Sequence, residues 1–383
     1  IAVTALFVIM GWILIYARSH GRSIKAPGAV ASWIGVVQIQ LYLFFMNGLY
    51  LEAVRRQLGD GLRRGAEWLD RIRRLPLYLG LGAVALAIPL VIRAGGVPIR
   101  GLALTLLAAL LLPLFPFHGV YVAALTRLRG YQAVLLSLVM PIVGFCGLVY
   151  LVPELPLGLR GAIRLLALIG SVYASVKALT QARVKYLLTY AGLALYSLLW
   201  WHLALAGAAK PHAAVYAGSV ALVTSGLHHA LLRLQARYGP GTAELTLDRV
   251  GGLARSMPRF AVLVALLIMA AVGLPPFGVF SGFMTMLLHG SVVLTSSIAV
   301  DLAVVVAVWF AASFYLVRLM HRLLFNPPRA GVLYSDLQAP EVASLVAVLT
   351  ILVGLGFAPL PLFKYAALPN PYHLAMEWHP WPR

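Results

Sequence analysis

One cysteine, Cys146, stands in a chain of 383 residues, so neither an intrachain disulfide nor a cysteine-built metal cage can form. Acidic residues are scarce as well, 11 Asp and Glu against 30 Lys and Arg, and charged residues make up only 11% of the total. Soluble domains carry roughly 25% charged residues, so this scarcity excludes a water-soluble globule. Long polar stretches are also missing. The two longest, 51–75 and 234–258, run about 25 residues each, too little for a soluble domain with chemistry of its own. No CxxC pair, HExxH, Walker loop or helix-opening GxGxxG occurs, so no catalytic site and no cofactor are expected. His228 and His229 are adjacent and would point about 100° apart on a helix, which disfavours joint ligation of a haem or quinone. No cleavable signal peptide is visible, and a start at Ile1 rather than Met is what a chain lacking its true start would show.

What the sequence does have is apolar length. Hydrophobic residues reach 62% and mean hydropathy is +0.91, which defines an all-α polytopic membrane protein. Eleven transmembrane spans are expected, at about 1–17, 29–50, 76–92, 100–117, 132–152, 161–180, 185–207, 212–233, 259–288, 292–324 and 341–363. These runs are too long, and too free of strict alternation, for a barrel.

A net charge of +19 would suggest nucleic acid in a soluble protein. Here the basic residues cluster between apolar runs, so they read as topology signals and lipid-headgroup contacts, and nucleic acid is not an expected partner. Loops after even-numbered spans hold 20 of the 30 Lys and Arg residues and the opposite side 10. That bias predicts a cytoplasmic amino end and an outer carboxyl end. The stretch "EAVRRQLGDGLRRGAEWLDRIRR" places arginine pairs between Leu58, Leu62, Trp68, Leu69 and Ile72, as an amphipathic helix on the cytoplasmic interface would.

Two spans contain prolines where a continuous helix is otherwise expected. "LLPLFPFHGV" carries Pro113 and Pro116, and "AVGLPPFGVF" carries Pro275 and Pro276. They fall in spans four and nine. An offset of five spans reverses orientation, so the two broken helices, about 100–118 and about 259–288, enter from opposite sides. Such pairs mark the pathway in transporters built from inverted repeats. The expected organisation is a first inverted five-span repeat over 1–152, a second over 161–324, and a final span with an outer tail over 341–383.

Further motifs are collinear with these breaks. "PLFPFHG", "QARVKYLLTYAGLALYSLL", "HHALLRL", "LDRVGGLARSMP" and "GLPPFGVFSGF" follow one another between about residues 100 and 290. In that order they resemble the antiporter-like, proton-translocating subunits of respiratory complex I. The same family includes subunits of membrane-bound hydrogenases, Mrp-type antiporters and membrane partners of inorganic-carbon uptake complexes. Its members usually have fourteen helices, and the resemblance aligns this chain's first span with the family's fourth. It implies other membrane subunits, a soluble subunit and lipid as partners, in the inner or plasma membrane of a bacterium or archaeon.

The resemblance also implies titratable groups at mid-membrane, and this chain lacks them at three positions. The lysine expected five residues before the proline of P-F-H is Leu111. The lysine expected two residues before the glycine of G-x-x-G is Ile142, and the Glu or Lys expected after the second break is Phe283. The family's fifth-helix glutamate falls near "LFFMNGLYLEA", at Met46 or Asn47, with Glu52 as a shifted substitute. Leucine, isoleucine and phenylalanine cannot bind or release a proton. Candidates left for a proton path are His228, His229, Arg233, Lys177, Lys185, His118, Glu52 and Asp301. Histidine suits a relay because it titrates near neutrality. Lys177, Lys185 and Arg233 equally suit snorkelling to the interface, and His118 equally suits capping the first broken segment.

The expectation is a divergent antiporter-like subunit of a multisubunit, proton-translocating energy-coupling complex, with its own channel impaired. A non-conducting anchoring subunit of a respiratory or hydrogenase-type complex is the alternative, and a membrane partner in proton-driven inorganic-carbon uptake is a third. With no catalytic site of its own, the chain would serve any oxidoreductase only as a subunit.

Overall fold

The computed structural model of the chain describes residues 97–128, 130–208, 211–238, 245–247, 250–290, 296–327 and 335–357. Expected spans one to three, the amphipathic stretch 51–75 with Glu52, and the carboxyl tail lie outside the described residues. Within them the secondary structure is helical, apart from one isolated bridge between Arg183 and Thr246 that ties two connecting loops together.

Helix α1 (Val97–Leu111) stops just before Pro113, which has no N–H to donate and biases the preceding residue out of the helical region. The chain resumes as α2 (Gly119–Arg127). The first broken segment thus runs on to Arg127 instead of closing near 118, because nine further residues find helical partners that the local pattern did not announce. Helix α3 (Tyr131–Leu151) carries Pro141 inside it. Helices α4 (Leu157–Thr180) and α5 (Val184–Ala206) form an antiparallel pair. Gly207, at φ 67, closes α5 and donates its N–H to the Leu203 carbonyl, the usual left-handed end of a helix.

Helix α6 (Pro211–Tyr238) follows, then the single turn α7 (Leu253–Ser256). The second broken segment consists of α8 (Pro258–Val272) and α9 (Gly278–Gly290). Helices α10 (Ser296–Phe325) and α11 (Ala339–Phe357) complete the described chain.

Helices α3, α4, α5, α6, α10 and α11 are each long and apolar enough to cross a membrane. With the two broken segments they correspond to expected spans four to eleven. Helix α5 is the centre of the bundle, buried from Leu187 to Leu203 on nearly every face and packed on α2, α4 and α6. Helices α4 and α10 pack together and turn Leu165, Ile169, Phe310 and Phe314 outward. Apolar residues at such positions suit contact with lipid, because no water need be excluded there.

Candidate functional site: two interrupted helices and the polar groups around them

An interrupted helix leaves carbonyls without intrahelical partners, and these must be satisfied when buried. The chain solves this the same way twice. At the first break the Trp200 indole of α5 donates to the Leu112 carbonyl at 2.9 Å. At the second, the Trp309 indole of α10 donates to the Val272 carbonyl at 2.7 Å. The Phe115–Pro116 and Pro275–Pro276 peptides are both cis. Neighbouring helices come unusually close. A methyl group on Gly144 of α3 would lie 2.5 Å from the Leu112 amide nitrogen, and one on Gly356 of α11 would collide with the Pro276 carbonyl oxygen.

The three positions where the resemblance implies titratable groups flank these breaks. Leu111 is buried in the apolar core immediately before the Trp-bonded carbonyl. Ile142 is half-buried on α3, two residues from Gly144. Phe283 is 3% exposed and packs on the Trp309 ring, with centroids 4.7 Å apart, and more loosely on Tyr216.

Two clusters of ionisable side chains lie toward opposite ends of the bundle; other polar groups, among them Tyr121, Tyr196, Ser197 and Ser219, are buried outside them. At the end where α5 begins, His228 donates through Nδ1 to the Thr224 carbonyl at 2.9 Å and faces the Thr189 hydroxyl through Nε2 at 3.4 Å. Thr189 donates to the Lys185 carbonyl at 2.8 Å, so its one hydroxyl proton serves either that carbonyl or His228. Lys185 Nζ donates to the Leu128 carbonyl at 2.8 Å.

His229 turns away to α11, where Ser344 Oγ lies 3.0 Å from its Nε2. Ser344 donates its own proton to the Glu341 carbonyl, which makes His229 the donor. Arg233 pairs with Glu341 at 3.1 Å and lies over the Tyr131 ring, and Arg237 binds the other Glu341 oxygen. His229 and Arg233, four residues apart, share a face directed at α11 and α3, whereas His228 belongs to a separate cluster.

At the opposite end, Asp301 of α10 accepts from Arg164 of α4 and from the Trp201 indole at 2.8 Å. Its side chain is 8% exposed. His202 and His212 meet there through their Nε2 atoms at 3.0 Å, so one ring carries the proton between them.

Lys177 is exposed and lies 5.8 Å from the Tyr173 ring centroid. His118 is half-buried, stacks on Phe115 and packs at a tilt on Tyr173. Pro113 is buried, whereas Pro116, Pro275 and Pro276 are exposed. Among the described residues, no three His, Cys, Asp or Glu side chains converge closely enough to hold a metal ion.

Arg164, Trp200, Trp201, Trp309, His212 and Glu341 are not singled out by the sequence alone. In the sequence Arg164 reads as one more topology charge, although it lies within the expected span 161–180, and an arginine inside a span is itself a signal for a buried partner. His212 sat at the very start of a span. The tryptophans gave no signal, since an indole inside an apolar run looks like packing.

Proline-interrupted helices inside a bundle of helices long and apolar enough to cross a membrane, with part-buried ion pairs bridging separate helices, mark an integral membrane protein. The chain belongs to the NADH:quinone oxidoreductase/Mrp antiporter transmembrane family, whose pattern matches residues 77–314. Its fold is similar to that of a chain in respiratory complex I from Thermus thermophilus with bound Aureothin, at 18% identity and a TM-score of 0.66, over 94% of this chain and 84% of that one. It is also similar to a chain of the Mrp complex from Dietzia sp. DQ12-45-1b, at 14% identity and a TM-score of 0.60, over 93% and 71%. A third likeness is to a chain of the membrane-bound sulfane sulfur reductase, an archaeal respiratory membrane complex, at 16% identity and a TM-score of 0.66, over 86% and 56%. Among curated proteins none matches.

Proposed function

We propose that this chain is a divergent antiporter-like subunit of a multisubunit energy-coupling membrane complex, and that its own mid-membrane proton route is interrupted. The observation that carries this reading is the apolar packing of Leu111 and Phe283 beside the two breaks. Proton transfer at that depth needs titratable groups or water, and neither side chain can hold a proton or hydrogen-bond a water. The subunit then contributes by passing a conformational or electrostatic change to its neighbours, or by anchoring them.

Partner subunits are supported by the second break itself. Leu274, Pro275 and Pro276 are exposed, and irregular backbone at membrane depth is tolerated only under a protein or water cover. The charge bias of the loops supports an orientation with the Lys185 end of the bundle in the cytoplasm. The five-span offset between two breaks, each with a tryptophan-bonded carbonyl, supports two inverted halves over 1–152 and 161–324.

One observation favours a residual half-channel. The buried His228 and Thr189 side chains follow one another inward from the half-buried Lys185 at one end of the bundle, Thr189 bonding the Lys185 carbonyl. On this reading protons reach His228 from the cytoplasm and stop short of the apolar side chains of Leu111 and Phe283.

Cysteine accessibility tests the reading. Leu111→Cys and Phe283→Cys, each in a Cys146→Ser chain, are expected to resist a water-soluble, membrane-impermeant thiol reagent in the folded protein. Lys177→Cys, at an exposed site, is expected to react. Rapid labelling at position 111 or 283 would show a hydrated route and overturn the proposal.

A further inference from the structure

The two breaks are joined by a continuous series of contacts through α5 and α10. Trp200 and Trp201 are adjacent, each 1% exposed, and successive helical residues point about 100° apart. Trp200 therefore reaches the first break, at the Leu112 carbonyl, while Trp201 reaches α10, at Asp301. Farther along α10, about 12 Å from Asp301 at a helical rise of about 1.5 Å per residue, Trp309 reaches the second break at the Val272 carbonyl. Arg164 of α4 holds the other side of this arrangement through Asp301.

Each contact is a directional hydrogen bond; those of Trp200 and Trp201 are fully buried and those of Trp309 and Arg164 partly so, so releasing one leaves a polar atom poorly satisfied. Local packing stiffens both ends. Gly144 admits Leu112 at close range, and Phe283 fills the space against the Trp309 ring.

We propose that Trp200, Trp201, Asp301 and Trp309 form a mechanical linkage that couples the two interrupted helices, so that loosening either break loosens the other. Two rigid helices carry the coupling. Helix α5 transmits it sideways through its tandem tryptophans, and α10 transmits it lengthwise from Asp301 to Trp309. The four residues are positioning residues, acting on the breaks and on no substrate. This linkage goes beyond the proposed function and stands whether or not the chain conducts protons.

Amide hydrogen exchange on the full chain in lipid nanodiscs tests it. The segments to follow are 109–118 and 270–278, which cover the two breaks. Trp201→Phe keeps an aromatic ring but removes the donor to Asp301. It is expected to speed exchange in both segments by about fivefold or more, the lower range of measured site-to-site couplings. Trp309→Phe removes the donor at the second break, and reciprocity requires it to speed exchange at 109–118 as well. Unchanged exchange over 214–222 in α6 shows that the fold is kept. Should Trp201→Phe disturb α6, Trp309→Phe decides by the same two segments. Acceleration confined to one break, or to the residues beside the substitution, would overturn the linkage and leave two independent caps.

Discussion

Asp301 serves two donors, Arg164 and the Trp201 indole, with 8% of its side chain exposed. Asp301→Ala strands a guanidinium inside the bundle, where breaking a buried pair costs about 3–5 kcal/mol. Arg164 keeps 25% of its side-chain surface exposed, so the lower figure, about 3 kcal/mol, applies. Asp301→Asn retains an oxygen acceptor and is expected to cost less. Denaturant titration of the purified chain in detergent measures both, and equal losses would contradict the paired-charge explanation. Gly144 offers a second residue-scale prediction. Gly144→Ala pushes a methyl against the Leu112 backbone and is expected to destabilise by about 1–3 kcal/mol. Gly101→Ala, with nothing within 4 Å of the added carbon, is expected to have little effect in the same titration. At this scale the sequence disclosed composition better than partnership. His228, Lys185 and Arg233 could be picked out because ionisable groups are rare in apolar spans. Adjacency alone puts His228 and His229 about 100° apart on their helix, but which neighbouring helix each faces is set by packing that no local pattern records.

Helix ends in this chain are held by distant groups. The amides of Arg259 and Phe260, in the first turn of α8, donate to the Asp336 carboxylate at 2.9 and 3.2 Å. Asp336 therefore does the work of an N-cap from a loop 76 or more residues away. Asp336→Ala is expected to cost about 1 kcal/mol, the usual loss for a removed cap. Exchange at the α8 amino end should rise with it. Unchanged exchange at residues 259–262 would show that other groups satisfy these amides. The existence of most described elements was legible from apolar run length, and the two breaks from their prolines, because both are local signals. Helix α2 was not legible. Its nine residues, "GVYVAALTR", are too few to read as a span, and its stability comes from packing on α3 and α5. The tryptophan bonds to the break carbonyls were equally hidden, being set by helices far away in sequence.

For the whole molecule, family membership and the apolar replacements pull in different directions. The fold is shared with chains of complex I and Mrp assemblies, while Leu111 and Phe283 fill the surroundings of both breaks with carbon. A bundle of this kind can keep its shape, its interrupted helices and its neighbours without moving protons through its own centre. Passive proton flux tests this most directly. The purified full chain is placed in proteoliposomes with a trapped pH indicator under a potassium diffusion potential, and wild type is compared with the His228→Ala/His229→Ala variant and with protein-free vesicles. Flux at the protein-free level in both proteins, with folding verified, is the predicted result. Wild-type flux above that level, abolished in the double variant, would contradict it and make the His228 cluster the gate of a working channel.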